Sequence, residues 1–140
     1  MTTKEDFNNL PKIVAVDFDG TLVEDNFPDI GRPYMEMFQT MIYLRSKGVK
    51  VVLWTSRNFY KNRDLLEEAV QFCKEQGLEF DAINENVQEV QELTGEDTRK
   101  VYADLYIDDK SIHSLQSPLY WLNKVNLNWI DYMYDVQYKK

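Results

Sequence analysis

The sequence from Val14 to Leu22, Val-Ala-Val-Asp-Phe-Asp-Gly-Thr-Leu, constrains the fold more than any other stretch. Its first three residues are small or β-branched and apolar, which is typical of a buried strand. Asp17 and Asp19 come next, and residues two apart on an extended backbone share a face. Gly20 permits a sharp turn that a residue with a Cβ atom would strain. The stretch therefore predicts either a strand with an ordinary Asx-type turn after it, or two carboxylates directed into one small site.

The rest of the chain alternates between two kinds of apolar pattern. Apolar runs predict further strands, so that the full set covers 12–18, 49–54, 80–84 and 103–107. Apolar residues at helical spacing predict helices over 33–48 and 62–76. Because strands that alternate with helices form βαβ units, we expect an α/β fold. Its architecture is expected to be a Rossmann-like three-layer sandwich around a central parallel sheet.

No linker or repeat divides the chain, so residues 1–140 are predicted to form a single domain. Residues 1–11 are expected to be a polar N-terminal lead-in, and the acidic stretch 86–97 an exposed loop or a loose helix. Residues 118–140 form an aromatic-rich C-terminal extension, which either packs on the sheet or covers the site or pairs subunits. Cys73 falls in the apolar stripe of the second helix and is interpreted as a structural thiol.

Composition excludes several classes of protein. The net charge of −8 argues against broad electrostatic capture of nucleic acid or of an anionic membrane. A single cysteine cannot form an internal disulfide, and no run is apolar enough for a signal core or a membrane span. The sequence therefore favours a cytoplasmic enzyme or binding domain, with a nucleic-acid partner disfavoured and no membrane partner.

Polar residues follow three of the predicted strands at their carboxyl ends, where ligands bind in open parallel sheets. The first strand leads to Asp17 and Asp19, and the fourth leads to Asp108 and Asp109. Four carboxylates in one crevice need a cation, and Mg²⁺ suits ligands that are oxygens. The second strand leads to Thr55-Ser56-Arg57, and Lys100 precedes the fourth strand, so hydroxyl and ammonium donors for a phosphoryl group are also present.

Taken in order, these residues resemble the four sequence motifs of the haloacid dehalogenase superfamily. The resemblance rests on Asp17-Phe18-Asp19-Gly20-Thr21, on Thr55 after a hydrophobic strand, on Lys100, and on Asp108-Asp109. It implies that Asp17 is the nucleophile and that Asp19 protonates the leaving oxygen and then activates water. It also implies that Thr55 binds the phosphoryl oxygens and that Lys100 neutralises the transferring group.

The same resemblance implies a Mg²⁺ site made by Asp17, Asp108 and the backbone carbonyl of Asp19. Asp109 is expected to hold Lys100 or a metal-bound water. Gly20, Ser56 and Arg57 are the expected substrate-binding residues, although Arg57 fits a surface residue that caps the turn equally well. Arg99 competes with Lys100 for the cationic role, and His113 is interpreted as a loop residue rather than a general base.

A carboxylate two residues after the nucleophile accompanies phosphatases and phosphotransferases in this superfamily. The resemblance therefore implies a Mg²⁺-dependent phosphomonoester hydrolase that forms an aspartyl-phosphate on a phosphorylated substrate. Neither 23–48 nor 58–99 holds a second folded domain, so no cap domain is expected, and the site is either open or covered by another subunit of a homo-oligomer. Two alternatives remain at this stage: a polynucleotide-end phosphatase, and a catalytically idle module that binds phosphate or metal.

Overall fold

The computed structural model describes residues 3–110 of the chain. The helices and strands follow one another in the order α1 (Lys4–Asn8), β1 (Ile13–Val16), α2 (Met35–Ser46), β2 (Lys50–Leu53), β3 (Phe59–Tyr60), β4 (Arg63–Asp64), α3 (Leu65–Glu75), β5 (Ala82–Ile83), α4 (Gln88–Thr94) and β6 (Leu105–Ile107). The predicted helix over 33–48 and the predicted strands over 12–18, 49–54 and 103–107 are all present, each slightly shorter than expected.

Four of the strands form one parallel sheet in the order β5-β2-β1-β6. The first strand lies in the middle, and its last residue, Val16, is level with Leu53 of β2 and Ile107 of β6. The residues that follow these three positions therefore emerge at the same edge of the sheet. This arrangement confirms the predicted α/β fold with a central parallel sheet.

Both faces of the sheet are covered, which explains why β1 is apolar throughout rather than alternating. Val14 and Val16 belong to a cluster with α2 and α3, whereas Ile13 and Ala15 pack in a second cluster that includes Val90 of α4. None of these four β1 residues is more than 1% exposed. Complete burial of a valine or isoleucine side chain contributes about 1.5–3 kcal/mol, so this short strand is a major source of stability.

Helix α3 begins later than the periodicity predicts. Asp64 is its N-cap, with a side-chain oxygen that accepts a hydrogen bond from the N–H of Glu67 at 3.0 Å. The residues before it form an antiparallel hairpin, β3–β4, which the sequence did not indicate. Its two turn residues, Lys61 and Asn62, both have positive φ angles. Phe59, in the first strand of the hairpin, is 64% exposed.

Two polar segments are more ordered than the sequence suggested. The lead-in contains α1, which Thr3 starts with a capping box to Asp6. The acidic stretch contains α4, which ends at Gly95 in the left-handed region with φ of +80°. In α4 only Val90 is buried, so its apolar pattern is too weak to reveal a helix.

Several other expectations concern single features. Cys73 is buried, and burial raises the pKa of its thiol to about 12, which fits a structural role. Within residues 3–110 the only elements between β1 and β6 are short helices, strands and one hairpin, so this part of the chain has no cap domain. None of its helices has the length and apolar character that a bilayer crossing requires. His113 and the aromatic extension at 118–140 lie outside the described residues.

Candidate active site

A cleft of about 630 Å³ opens at the carboxyl edge of the sheet. Its walls come from the residues directly after β1, β2, β5 and β6, and from a loop farther along the connection between β1 and α2. The lining residues are Asp17, Asp19, Asp25, Phe27, Trp54, Thr55, Ser56, Asn84, Asp108, Asp109 and Lys110. The crevice predicted from the strand ends is therefore present, and six of the predicted site residues line it: Asp17, Asp19, Thr55, Ser56, Asp108 and Asp109.

Three of the carboxylates form a compact cluster at the floor of this cleft. Asp17, Asp108 and Asp109 each offer one oxygen, and these oxygens lie within 4.8 Å of one another. The backbone N–H of Asp17 donates to the carbonyl of Ile107 at 2.9 Å, which ties the end of β1 to the end of β6. Oxygen ligands in this number suit a hard divalent cation. These three residues could hold a metal ion.

The electrostatics of the cluster point the same way. Burial, together with the negative charges of Asp108 and Asp109, raises the pKa of the Asp17 carboxyl to about 7. The pKa of Asp109 is also raised, chiefly by burial and by its contact with Asp108. A cation among the three carboxylates would remove this repulsion and keep Asp17 ionised at neutral pH.

Gly20 and Thr21 act on Asp109 rather than on the cleft. The Thr21 hydroxyl is buried and accepts a hydrogen bond from the N–H of Asp109 at 3.0 Å. Gly20 has φ of +80°, and a Cβ atom there would overlap the Asp109 carboxylate, 2.7 Å from its Cγ. Gly20 was predicted to bind substrate, but it does not line the cleft. It lets Asp109 approach the backbone closely.

Asp19 is held by a bidentate ion pair with Arg57. The Nε and Nη2 atoms of Arg57 donate to the two carboxylate oxygens of Asp19, each at 2.8 Å. The Arg57 side chain is fully buried, and that of Asp19 is 18% exposed. A carboxylate has about four lone-pair sites, so Asp19 keeps acceptor sites for a ligand in the cleft. Its predicted contact with a metal ion runs through the backbone carbonyl and does not compete with this ion pair.

The remaining donors of Arg57 bind backbone carbonyls. Nη1 donates to Pro28 and Leu65, and Nη2 donates to Asp29. All five N–H groups of the guanidinium are thus used within the protein. The guanidinium also lies over two aromatic rings, with Cζ 5.0 Å from the centre of Phe18 and 5.3 Å from that of Phe27.

This arrangement corrects both interpretations of Arg57. It is not a surface residue, because it is only 2% exposed. It is not placed to bind substrate either, because it has no remaining donor and does not line the cleft. Instead Arg57 fastens residues 24–31, here called the flap loop, to the site. Hydrogen bonds to the backbone carbonyls of Pro28 and Asp29 do not depend on the side chains there, so the sequence could not predict them.

Thr55 and Ser56 lie in the cleft wall as predicted. The backbone N–H of Thr55 donates to the side-chain oxygen of Asn84 at 2.8 Å, which fixes the end of β2 against the end of β5. The Thr55 hydroxyl accepts from the N–H of Arg57 at 3.2 Å. Its own proton therefore remains available for an acceptor in the cleft.

The structure does not bring Lys100 to the cleft, contrary to the prediction. Its Nζ lies over the ring of Tyr106, 5.1 Å from the centroid. The N–H of Asp104 donates to the carbonyl of Ile13, the first residue of β1. The segment that contains Lys100 therefore meets the sheet at its amino end, whereas the cleft lies at the carboxyl end. Arg99 is exposed and does not line the cleft either. Lys110 lines it instead.

Five lining residues were missed. Trp54 and Asn84 are the last residues of predicted strands, and Lys110 follows the Asp108-Asp109 pair, so the rule that identified the other strand ends applied to them too. Asp25 and Phe27 lie in the flap loop, whose path depends on Arg57. No sequence signal identifies these two.

Known proteins resemble the chain in sequence and structure. A family model described as haloacid dehalogenase-like hydrolase matches residues 14–138. A solved structure of a conserved protein from Bacteroides thetaiotaomicron is 33% identical, with a TM-score of 0.68, and the match covers 87% of this chain and 97% of that one. No functionally curated protein matches the sequence.

Proposed function

The chain belongs to the haloacid dehalogenase-like hydrolases, and on this premise we propose that it hydrolyses phosphate monoesters with Mg²⁺ through an aspartyl-phosphate. The observation that supports the proposal most strongly is the placement of Asp17. It lies at the carboxyl end of the central strand, at the floor of an open cleft, within a cluster of three carboxylates. A carboxylate in that position can reach a phosphorus atom, and its neighbours can share a divalent ion with the phosphate.

Asp17, Asp108 and Asp109 would hold the Mg²⁺, which draws negative charge from the transferring phosphoryl group when bound. An Asp17 oxygen attacks phosphorus, the new P–O bond forms, and the bond to the leaving oxygen breaks. The Thr55 hydroxyl donates a hydrogen bond to a phosphoryl oxygen. The backbone of Thr55 is already fixed by Asn84, so this donor is positioned before substrate arrives.

Asp19 acts as the general acid and the general base in this scheme. It takes a proton from the attacking water in the second half of the reaction and gives that proton to the leaving oxygen in the first half of the next turnover. Water then displaces the Asp17 carboxylate from phosphorus and inorganic phosphate is released. Arg57 limits Asp19 to one orientation, because both carboxylate oxygens are bound to the same planar guanidinium.

Phosphate release from a panel of sugar, nucleotide, peptide and polynucleotide-end phosphates tests the proposal, with and without Mg²⁺. We expect metal-dependent turnover that falls by more than about 1,000-fold in Asp17→Asn. Asp25→Asn is the matched control, because Asp25 lines the same cleft but is not in the carboxylate cluster. Its turnover should change far less.

Circular dichroism should show the wild-type fold in both variants. Turnover that survives in Asp17→Asn would refute the assignment of the nucleophile. A wild-type protein that binds Mg²⁺ through Asp17 but turns over no member of the panel would instead favour a non-catalytic binding module.

A further inference from the structure

The cleft has an unusual balance of charge. Among the residues that the structure describes, its lining contains five aspartates and a single basic residue, Lys110. Arg57 offsets the charge of Asp19, but all of its donors are used within the protein. A phosphate monoester is itself an anion, so a divalent ion alone leaves the occupied cleft strongly negative. A second cation at the phosphoryl group is therefore expected.

The residues predicted for that role cannot fill it in the observed arrangement. Lys100 packs on Tyr106, and Arg99 is exposed outside the cleft. No lysine or arginine occurs between Lys74 and Arg99, so the segment with α4 offers no substitute. Within residues 3–110 this leaves Lys110.

Lys110 is tied to the carboxylate cluster at two points. Its backbone N–H donates to an Asp108 oxygen at 2.9 Å, which fixes where the residue emerges. Its Nζ lies 3.7 Å from an Asp109 oxygen, while the side chain is 83% exposed. The contact with Asp109 is thus a loose, solvated ion pair, and the flexible stem leaves the ammonium able to bind an anion beside the cluster.

From this placement we propose that Lys110 is the phosphoryl-binding cation of the site, in the position that the sequence motifs assign to Lys100. The inference rests on the proposed function, since it concerns the same reaction. In this role the Lys110 ammonium donates to a non-bridging oxygen of the substrate phosphate. It also keeps a charge beside Asp109 while Asp17 is phosphorylated.

Two lysine variants of the full chain separate this assignment from the motif-based one. Lys110→Met should lower kcat/KM for p-nitrophenyl phosphate by about 100-fold in saturating Mg²⁺, the scale found when one transition-state donor is removed. Lys100→Met removes the same group outside the cleft and should stay within about twofold of wild type. Lys110→Arg should recover part of the activity, because it keeps the charge with a different geometry.

Inorganic phosphate binding to the Mg²⁺-loaded protein, measured by calorimetry, is a second readout that needs no turnover. The Kd should rise about tenfold or more in Lys110→Met and remain unchanged in Lys100→Met. Because the Lys110 side chain is largely exposed, the melting temperature should not move.

Wild-type activity and phosphate affinity in Lys110→Met would overturn the inference, as would an equal or larger loss in Lys100→Met. Either result leaves the proposed phosphatase function intact. A wild-type protein without turnover would count against that function, and the phosphate titration would then decide whether Lys110 binds the anion.

Discussion

Replacing Arg57 with methionine is expected to destabilise the metal-free protein by about 3–5 kcal/mol, the range for breaking a buried ion pair from one side. The Asp19 carboxylate would lose both of its short contacts while only 18% exposed. Three backbone carbonyls, of Pro28, Asp29 and Leu65, would lose a donor as well. Because Asp19 is not completely buried and can gain some hydration, we expect a value near 3 kcal/mol.

A double-mutant cycle isolates the ion pair from the loop contacts. Asp19→Asn retains the shape of the side chain but weakens the acceptor, so it should cost about 1–3 kcal/mol. The loss of unfolding free energy in the double variant should then be smaller than the sum of the losses in the two single variants by about 1–3 kcal/mol. Urea denaturation followed by far-ultraviolet circular dichroism in EDTA measures all four proteins without a contribution from bound metal.

Arg57→Lys serves as the control for charge. Lysine keeps the positive charge but cannot replace five N–H groups on a planar fork, so it should recover less than half of the lost stability. Single effects that add within about 0.5 kcal/mol would show that Arg57 and Asp19 are not coupled. A loss below about 1 kcal/mol in Arg57→Met would contradict the burial of the pair itself.

Two further perturbations follow from the carboxylate cluster. Gly20→Ala should destabilise the protein by more than the roughly 1–2 kcal/mol of a left-handed alanine and should lower activity about tenfold or more, because its Cβ would displace Asp109. Gly48→Ala is the control, since Gly48 has φ of +88° with nothing within 4 Å, and denaturation should show only the backbone cost; equal effects would exclude the clash. In metal-free protein the raised pKa of Asp17, about 7, means that the folded state takes up a proton that the unfolded state releases near pH 4. Stability relative to Asp17→Asn should therefore fall as pH rises from about 4 to about 7 and then level off, and added Mg²⁺ should reverse the fall; a flat pH difference would refute the raised pKa.

The parts of the site that follow strand ends could be predicted from the sequence. Val14–Val16 is apolar because both faces of β1 are covered, and Asp17 follows because the strand stops at the cleft. The same reasoning located Thr55 and Asp108. These positions depend on local periodicity and on one general property of parallel sheets, and both can be recognised in a single chain.

The parts that depend on the path of a connection could not be predicted. Lys100 lies away from the cleft because the segment before β6 meets the sheet at its opposite end, where the N–H of Asp104 donates to the carbonyl of Ile13. The burial of Arg57 depends on carbonyls from a loop 28 and 29 residues away in sequence. The β3–β4 hairpin was missed because Lys61-Asn62 lacks the glycine that usually marks a two-residue hairpin turn.

The way in which Arg57 fastens the flap loop has a consequence for how related sequences can diverge. Pro28 and Asp29 are bound through main-chain oxygens, which every amino acid provides. Changes of side chain at these two positions can therefore leave the hydrogen bonds to Arg57 in place. Asp25 lines the cleft from this loop and makes no hydrogen bond to Arg57 among the contacts of Arg57 described above. Substitutions at Asp25 can therefore change what the cleft accepts while the hydrogen bonds that hold the loop stay in place, so this position is a natural one to vary when a different substrate preference is selected.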